Sequence, residues 1–251
     1  MTVSEKPLPS SYGDAFADIY DEWYGSLTDE DFIAALSRRL PPHPVRVLEL
    51  GVGTGRLIHK LIAHRAPLVD ELVGTDASEK MLAIAESNGL HHLVTLECSD
   101  FSQQLPAGQF DAVFVGYNTL FNLPDDESLT SCLSLVTHSL TPHGFFMCDL
   151  VIPRGDSNEE FSEERIMANG DRVTSSSRHN PALRTISGAF THTTNDGQSV
   201  VRPWNVHYVT PQQLDELAHD AGMRLVERTA NGHGQPFSND SSRHISTYIL
   251  R

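Results

Sequence analysis

Cysteine is scarce in this sequence, and its placement favours neither a disulfide framework nor a zinc site. Cys98, Cys132 and Cys148 each stand in an apolar stretch. Three is an odd number, and the spacing does not fit a zinc-binding pattern. Because free cysteine packs as a small apolar side chain, we predict three buried thiols. Free thiols indicate a reducing compartment, so we expect a cytoplasmic protein.

Positive charge and long apolar runs are also lacking. The 251 residues carry 18 Lys and Arg against 33 Asp and Glu, a formal net charge of -15. Such a chain repels phosphate backbones and anionic lipid surfaces, so neither nucleic acid nor a membrane is expected as a partner. No apolar run approaches the roughly 18 residues of a membrane span. A neutral or cationic small molecule is the favoured ligand.

Two common catalytic signatures are missing as well. No G-x-S-x-G elbow marks a serine hydrolase. The 13 histidines include no H-x-x-x-H pair and no His/Asp pair at the spacing of a metalloenzyme. The sequence therefore implies no catalytic metal.

The segments that are present alternate between short apolar, β-branched runs and amphipathic runs with helical spacing. This order predicts an α/β fold whose parallel sheet is covered on both faces. The predicted strands are Val45–Leu50, Leu68–Thr75, Leu93–Glu97, Phe110–Gly116, Phe145–Val151, Met223–Thr229 and His244–Leu250. The predicted helices cover residues 13–39, with a second piece capped by Thr28, then Leu57–His64, a helix after Ser78, one from Asp125 or Asp126 to about Leu140, and Pro211–Ala221.

A different pattern occupies residues 154–210. Thr185–Thr193 and Val200–Tyr208 alternate polar with apolar residues, and Asn169-Gly170 and Asp196-Gly197 are turn signals. We predict an antiparallel β cap inserted after the fifth strand. The expected organisation is a helical lid over residues 1–40, a Rossmann-like core over 41–153 and 211–251, and the cap. Open strand edges favour pairing with another chain, so we expect a homo-oligomer.

The most informative segment is a glycine loop that follows the first strand. Gly51, Gly53 and Gly55 stand at alternate positions after Glu49, and a helix opens behind them. Glycine lets the backbone approach a ligand closely, and the N–H groups at a helix start favour an anionic group. A dinucleotide fingerprint needs a further glycine at position 56. Arg56 stands there, which counts against an NAD-dependent oxidoreductase.

Five motifs in order resemble those of class I S-adenosylmethionine-dependent methyltransferases. Glu49 to Gly55 resembles the first motif, and Asp76 matches the acid that such enzymes use on the ribose hydroxyls. Asp100 and Phe101 match the adenine-binding motif. Phe110 to Val113 and Leu140 to Phe145 resemble the fourth-strand motif and the turn before strand five. The resemblance implies a Rossmann-like α/β sheet that is mostly parallel with an antiparallel last strand. It also implies S-adenosylmethionine as the cofactor, held by Glu49, Gly51, Gly53, Gly55, Asp76, Ala77, Met81, Asp100, Phe101 and Tyr117.

The N-terminal segment also resembles the lid of bacterial small-molecule methyltransferases, including amino-sugar and antibiotic-pathway N-methyltransferases. Tyr12 and Tyr20 lie eight residues apart and share one face if the helix is continuous. Phe121 follows the fourth strand, at the sheet edge where open α/β folds place ligands. We therefore expect Tyr12, Tyr20 and Phe121 to surround the acceptor atom.

The resemblance favours methylation of an amine nitrogen in secondary metabolism. O-methylation of a hydroxyl or carboxylate, for which His207 and His233 are candidate bases, stays open. So does a non-catalytic cofactor-binding role on the same fold, although the lid argues against a pure binder. Should the acceptor lie elsewhere, the region near Trp204 and His207 is the next candidate.

Overall fold

The computed structural model describes residues 8–25, 27, 29–65, 69–155 and 159–251. Its core is a seven-stranded sheet in the order β10-β11-β5-β4-β1-β2-β3. Neighbours run parallel except at β11, which is antiparallel to both β5 and β10. The strands are β1 Val45–Leu50, β2 Val69–Asp76, β3 Thr95–Cys98, β4 Phe110–Val115, β5 Leu140–Val151, β10 Met223–Thr229 and β11 Arg243–Leu250.

Helices cover both faces of this sheet and bury two apolar clusters. One cluster packs α6 and α7 against the sheet, and the other packs α3 and α4 against the opposite face. β1 and β4 are buried almost throughout, which is why their sequences are nearly continuous apolar runs. The helices are α1 Ser11–Phe16, α2 Tyr20–Tyr24, α3 Glu30–Arg39, α4 Arg56–Arg65, α5 Glu79–Ser87, α6 Asp126–Ser139 and α7 Pro211–Asp220.

The segment after β5 forms a separate four-stranded antiparallel sheet, the cap, in the order β6-β7-β8-β9. Its turns lie at Asn169-Gly170 and Asp196-Gly197, where the sequence predicts them. One face of the cap packs on the N-terminal helices through Val173, Phe190 and Trp204. The cap strands are β6 Glu159–Ile166, β7 Arg172–Asn180, β8 Thr185–Thr193 and β9 Ser199–His207. The fold class is confirmed, including the antiparallel last strand and the inserted sheet.

Three local predictions need correction. Cys98 is exposed, because it ends the edge strand β3, whereas Cys132 and Cys148 are buried as predicted. The first helix is not continuous, since a 3-10 turn at Ala17–Ile19 separates α1 from α2. β5 begins at Leu140 rather than Phe145, because the proline–glycine turn is accommodated as an irregularity in the strand. The predicted cap at Thr28 lies outside the described residues. In the part of the chain that is described, no helix is long and apolar enough to cross a bilayer.

Candidate active site

The glycine loop opens at the carboxyl end of β1, in the middle of the sheet. Gly51 and Gly53 have φ values of 66° and 56°, a region that glycine tolerates and most residues avoid. A Cβ on Gly51 would lie 2.2 Å from the Thr119 side chain, so the loop also needs glycine for space. Gly55 is turned away from the loop's open side and packs on Leu90.

Asp76 ends β2 beside this loop. Its carboxylate accepts backbone N–H groups from Gly53 and Ser78, both at 2.9 Å. Burial raises the pKa of Asp76, and these two hydrogen bonds partly offset that rise. The carboxylate is thereby fixed at the loop, in a position to accept hydrogen bonds from ligand hydroxyls.

A cavity of about 300 Å³ lies over the ends of β1, β2 and the segment after β3. Ala77, Met81, Asp100 and Phe101 line it. The Asp100 carboxylate is held by the backbone and hydroxyl of Ser102 at 2.9 and 2.8 Å. The lining residues that the sequence singles out are Tyr12, Tyr20, Gly51, Gly53, Asp76, Ala77, Met81, Asp100 and Phe101.

A smaller cavity of about 20 Å³ adjoins the first and shares Tyr20, Gly51, Gly53 and Thr119 with it. Glu49 lines this cavity, and its Oε2 is buried without a hydrogen-bond partner. Burial raises the pKa of Glu49 well above its usual range, and the nearby Asp76 adds to the rise. A buried carboxylate oxygen of this kind calls for a cationic partner. The ammonium of a methionine moiety meets that need, so the residues fit S-adenosylmethionine.

Four of the six tyrosines gather around the two cavities. Tyr20 lines both cavities, Tyr12 lines the large one and Tyr117 the small one, and Tyr24 packs against Tyr20 and Tyr117. The rings of Tyr20 and Tyr24 lie 4.8 Å apart, and those of Tyr24 and Tyr117 6.1 Å apart. Tyr24 lies close enough to Tyr12 to add to the rise in the pKa of Tyr12. Burial raises the pKa of Tyr12 well above its usual range and that of Tyr20 to about 12. All four side chains form one phenolic wall, here called the tyrosine cluster.

Tyr117 is placed in this wall by a strained turn after β4. Tyr117 and Asn118 have φ values of 53° and 63°, an uncommon conformation for residues other than glycine. The turn is held from β5, since the backbone N–H of Asn118 donates to the Asp149 carbonyl and Asn118 Oδ1 accepts from the Val151 N–H. Arg243 fixes the buried Asp149 carboxylate at 2.5 and 2.8 Å. Such strain is typical of functional turns.

Sequence reasoning misses several lining residues, such as Ser102 and Gln103 of the large cavity, and two residues of the tyrosine-rich side of the site, Tyr24 and Arg56. Tyr24 reads as one more apolar position in a helical pattern, and Arg56 only as the residue that replaces a glycine. In the structure Tyr24 belongs to the tyrosine cluster, and the Arg56 guanidinium lies over the Tyr117 ring at 4.9 Å. A cation directly after the glycine loop was the one available signal for Arg56.

Other candidates lie away from the cavities. Phe121 is buried in the core and packs on Tyr208 at 6.4 Å, while its neighbours Thr119 and Asn122 line the large cavity. His207 is paired with Asp126 at 2.9 Å and lines neither cavity, and neither does His233. Trp204 packs between the cap and the N-terminal helices. Among the described residues, no group of three or more His, Cys, Asp or Glu side chains could hold a metal ion.

The N-terminal helices α1 and α2, here called the lid, close the cavities from above. Asp14 accepts from the Ser78 hydroxyl at 2.7 Å, and Asp21 accepts from the Thr54 hydroxyl at 2.6 Å. Asp18 accepts from Arg202 of the cap at 2.8 Å. The lid is therefore bonded to the glycine loop, to the helix after Asp76 and to the cap.

Comparisons with known proteins agree with this geometry. Residues 47–144 match the family described as methyltransferase domain. The CcbJ methyltransferase from Streptomyces caelestis is 29% identical, with a TM-score of 0.83 over 96% of this chain and 98% of that one. No curated protein matches the sequence significantly.

Two more distant structures share the fold. One is a S-adenosylmethionine-dependent methyltransferase from Clostridium acetobutylicum, with 15% identity and a TM-score of 0.77 over 94% of this chain and 98% of that one. The other is CalS10 from Micromonospora echinaspora, an amino pentose methyltransferase with bound cofactor, with 18% identity and a TM-score of 0.70 over 91% and 96%. Residues 47–144 therefore match a methyltransferase domain, on a fold that this chain shares with S-adenosylmethionine-dependent methyltransferases, and S-adenosylmethionine is its cofactor.

Proposed function

We propose that the protein methylates an amine nitrogen of a small molecule in secondary metabolism. The observation that carries the proposal is the tyrosine cluster around the two cavities. When bound, S-adenosylmethionine supplies a methyl group on a positively charged sulfur. An acceptor then needs only an aligned lone pair in a site without water, and alignment can supply much of the rate.

The electrostatics of the cluster favour an amine. Because burial raises the pKa values of Tyr12 and Tyr20, both phenols stay neutral near physiological pH. Neutral phenols orient an N–H group but do not act as strong bases. A hydroxyl acceptor would need a base. His207, a candidate base, is paired with Asp126 and lines neither cavity. The net charge of -15 also attracts cationic amines.

Known relatives of the fold are consistent with this choice. KedS8 from Streptoalloteichus sp. is a sugar N-methyltransferase with 17% identity and a TM-score of 0.71. In the proposal Glu49, Asp76 and Asp100 hold the cofactor, and Tyr12 and Tyr20 face the acceptor. Phe121 belongs to the turn Thr119–Asn122 and anchors that turn in the core. Thr119 and Asn122 of the same turn line the large cavity. We place the protein in the cytoplasm, acting as a homo-oligomer.

The test uses purified protein, S-adenosylmethionine with an isotope-labelled methyl group, and a library of small amines, phenols and carboxylic acids. We expect a labelled N-methyl product, identified by mass spectrometry and by the NMR shift of the methyl carbon. Asp76→Ala serves as the control, since losing charge-assisted hydrogen bonds should weaken cofactor binding by roughly tenfold or more. A methyl ether or ester as the product would overturn the proposal.

Variants of the wall test the roles of its residues. Tyr12→Phe and Tyr20→Phe should lower kcat/KM for the acceptor by about tenfold, since small misplacement costs rate heavily. Affinity for S-adenosylhomocysteine, measured by calorimetry, should stay nearly unchanged. Phe121→Ala should likewise lower kcat/KM for the acceptor and leave the affinity for S-adenosylhomocysteine nearly unchanged. It should also lower the free energy of unfolding, because it opens a cavity in the core. Unchanged turnover in all three variants would move the acceptor toward Trp204 and His207.

A further inference from the structure

Arg56 occupies a position that elementary helix physics disfavours. It is the first residue of α4, and its side chain is 11% exposed. The N-terminus of a helix carries a partial positive charge that opposes a cation there. Burial adds a desolvation cost unless the charge is paired. A buried cation at the start of this helix, beside the glycine loop, therefore calls for a paired charge and for a compensating role.

Asp29, which pairs with Arg56, breaks a second rule. It stands at the N-cap of α3, where an aspartate usually accepts a backbone N–H of its own helix. Here its side chain makes no capping hydrogen bond. The carboxylate is 7% exposed and forms an ion pair with Arg56, and Lys60 Nζ lies 3.8 Å away. The chain thus forgoes a helix cap to neutralise this guanidinium.

Tyr117, on the other side of Arg56, breaks a third rule. Its φ of 53° lies in the left-handed region, which bulky residues avoid. This conformation presents the ring to the guanidinium, whose central carbon lies 4.9 Å from the ring centroid. Arginine stacks well on aromatic faces because its guanidinium is planar and weakly hydrated.

Arg56 also lies beside Tyr20, since both line the small cavity. The positive charge of Arg56 lowers the pKa of Tyr20, against the larger effect of burial. Both tyrosines line the small cavity together with Arg56 and Glu49. Asp29, Arg56 and Tyr117 each carry an unfavourable local feature. All three features belong to the contacts that hold Tyr20 and Tyr117 in place at the small cavity.

We propose that Arg56, neutralised by Asp29, is a positioning residue that orders Tyr20 and Tyr117 around the acceptor. It acts through these two rings rather than by holding the cofactor. The effect of Arg56 on kcat, here called the kinetic half of the inference, rests on the proposed function. Its effect on the positions of the two tyrosine rings, the ordering half, does not.

The ordering half is tested by fluorine NMR on protein labelled with ring-fluorinated tyrosine. Arg56→Met should shift or broaden the Tyr20 and Tyr117 resonances, assigned with Tyr→Phe variants. Tyr208 and Tyr248, which lie in the main core cluster, should be unaffected. Arg56→Lys keeps the charge but loses the planar fork, so it should restore Tyr117 only in part. Arg224→Met, at an exposed position of β10, is the matched control.

Folding of the variants is checked by thermal unfolding. Lys60 stays close to Asp29 in Arg56→Met, so that carboxylate keeps a cation nearby. If Arg56→Met nevertheless fails to fold, Asp29→Asn breaks the same pair from the other side, and its Tyr117 resonance is read instead. Unchanged Tyr20 and Tyr117 resonances in the folded variant would overturn the inference.

The kinetic half uses the acceptor found in the library screen. We expect Arg56→Met to lower kcat by at least about tenfold, with affinity for S-adenosylhomocysteine within about twofold of wild type. Arg56→Lys should recover part of the rate. Shifted resonances with unchanged kcat would overturn the positioning role, and an equal loss of cofactor affinity would make Arg56 a cofactor ligand. An O-methyl product would refute the proposed function alone, since the Arg56 variants can be assayed with that acceptor.

Discussion

Glu49 carries the clearest electrostatic signal of any single residue in this site. It is 2% exposed, one carboxylate oxygen lacks a partner, and Asp76 lies nearby. Burial without a cation disfavours the charged form, which is why the pKa of Glu49 is raised. The ligand-free site therefore stores an electrostatic cost that a bound ammonium relieves.

This raised pKa predicts a pH dependence of stability. A carboxyl group whose folded-state pKa lies above its ordinary value of 4.5 stabilises the fold fully below that value. The stabilisation is then lost as the pH rises through the folded-state pKa. We expect the ligand-free protein to lose stability over that range in urea unfolding experiments.

Glu49→Gln should remove this part of the pH dependence and make the ligand-free protein more stable at neutral pH. The same variant should bind S-adenosylhomocysteine more weakly, since the amide carries no charge for the ammonium. A stability profile identical to that of wild type would show that Glu49 is charged in the free protein. Glu79→Gln, on the first turn of α5, provides a matched control.

Single residues also show what sequence alone can resolve. Asp76 and the glycines follow from a contiguous pattern, because backbone geometry and cofactor chemistry both constrain that segment. Tyr24 and Arg56 depend on which side chains meet across the fold, and no local pattern encodes such meetings. Phe121 lies in a four-residue turn whose neighbours Thr119 and Asn122 face the cavity. Spacing does not determine which side of so short a turn is buried.

At the scale of elements, the lid is attached in two ways. Its apolar face, with Phe16 and Trp23 buried, packs on the cap and on Met81. Toward the glycine loop it makes a polar contact, between Asp21 and Thr54. A polar contact of this kind opens at a lower free-energy cost than a packed core, so the lid is suited to part from the glycine loop for ligand exchange while the sheet stays intact.

Thr54→Val tests this view. The substitution keeps the side-chain shape but removes the 2.6 Å hydrogen bond from Thr54 to Asp21. The loss of a bond to a charged group is worth about 1.5–3 kcal/mol, so we expect faster amide exchange in residues 11–24 and faster cofactor dissociation. Thr130→Val, on the exposed side of α6, is the control because its hydroxyl bonds only within its helix. Equal rates of amide exchange in both variants would show that the hydrogen bond between Thr54 and Asp21 does not hold the lid.

The elements were predictable to different degrees. β1 and β4 follow from buried β-branched runs, and β8 and β9 from alternation between turns. The break at Ala17–Ile19 was not predictable, since Phe16, Ile19, Tyr20 and Trp23 keep a helical spacing through it. Contacts with the cap and with α5, rather than local propensity, determine the path of this segment.

For the whole molecule, the cap leaves apolar surface without cover. Phe161, Ile166 and Val201 are 56%, 61% and 61% exposed, and β6 is exposed along its full length. Open strand edges with apolar side chains favour pairing with another chain. We therefore expect light scattering to give a mass that is a multiple of 27.7 kDa at micromolar concentration.

Phe161→Lys should shift the mass toward that of one chain, because it replaces an exposed apolar side chain of the edge strand with a strongly hydrated one. Leu93→Lys, at a 54% exposed position in the core domain, should leave the mass unchanged. A wild-type mass of 27.7 kDa would contradict the homo-oligomer.

Thr54 belongs to the loop that holds the cofactor and also bonds the helix that covers it. Cofactor binding and lid closure both involve Thr54, so we expect them to be thermodynamically linked. Such linkage is reciprocal. If bound cofactor favours lid closure by some factor, closure raises cofactor affinity by the same factor. The demethylated product fits the same loop. The hydrogen bond between Thr54 and Asp21 that retains the cofactor therefore also slows product release. Release of the demethylated product should then depend on how fast the lid opens.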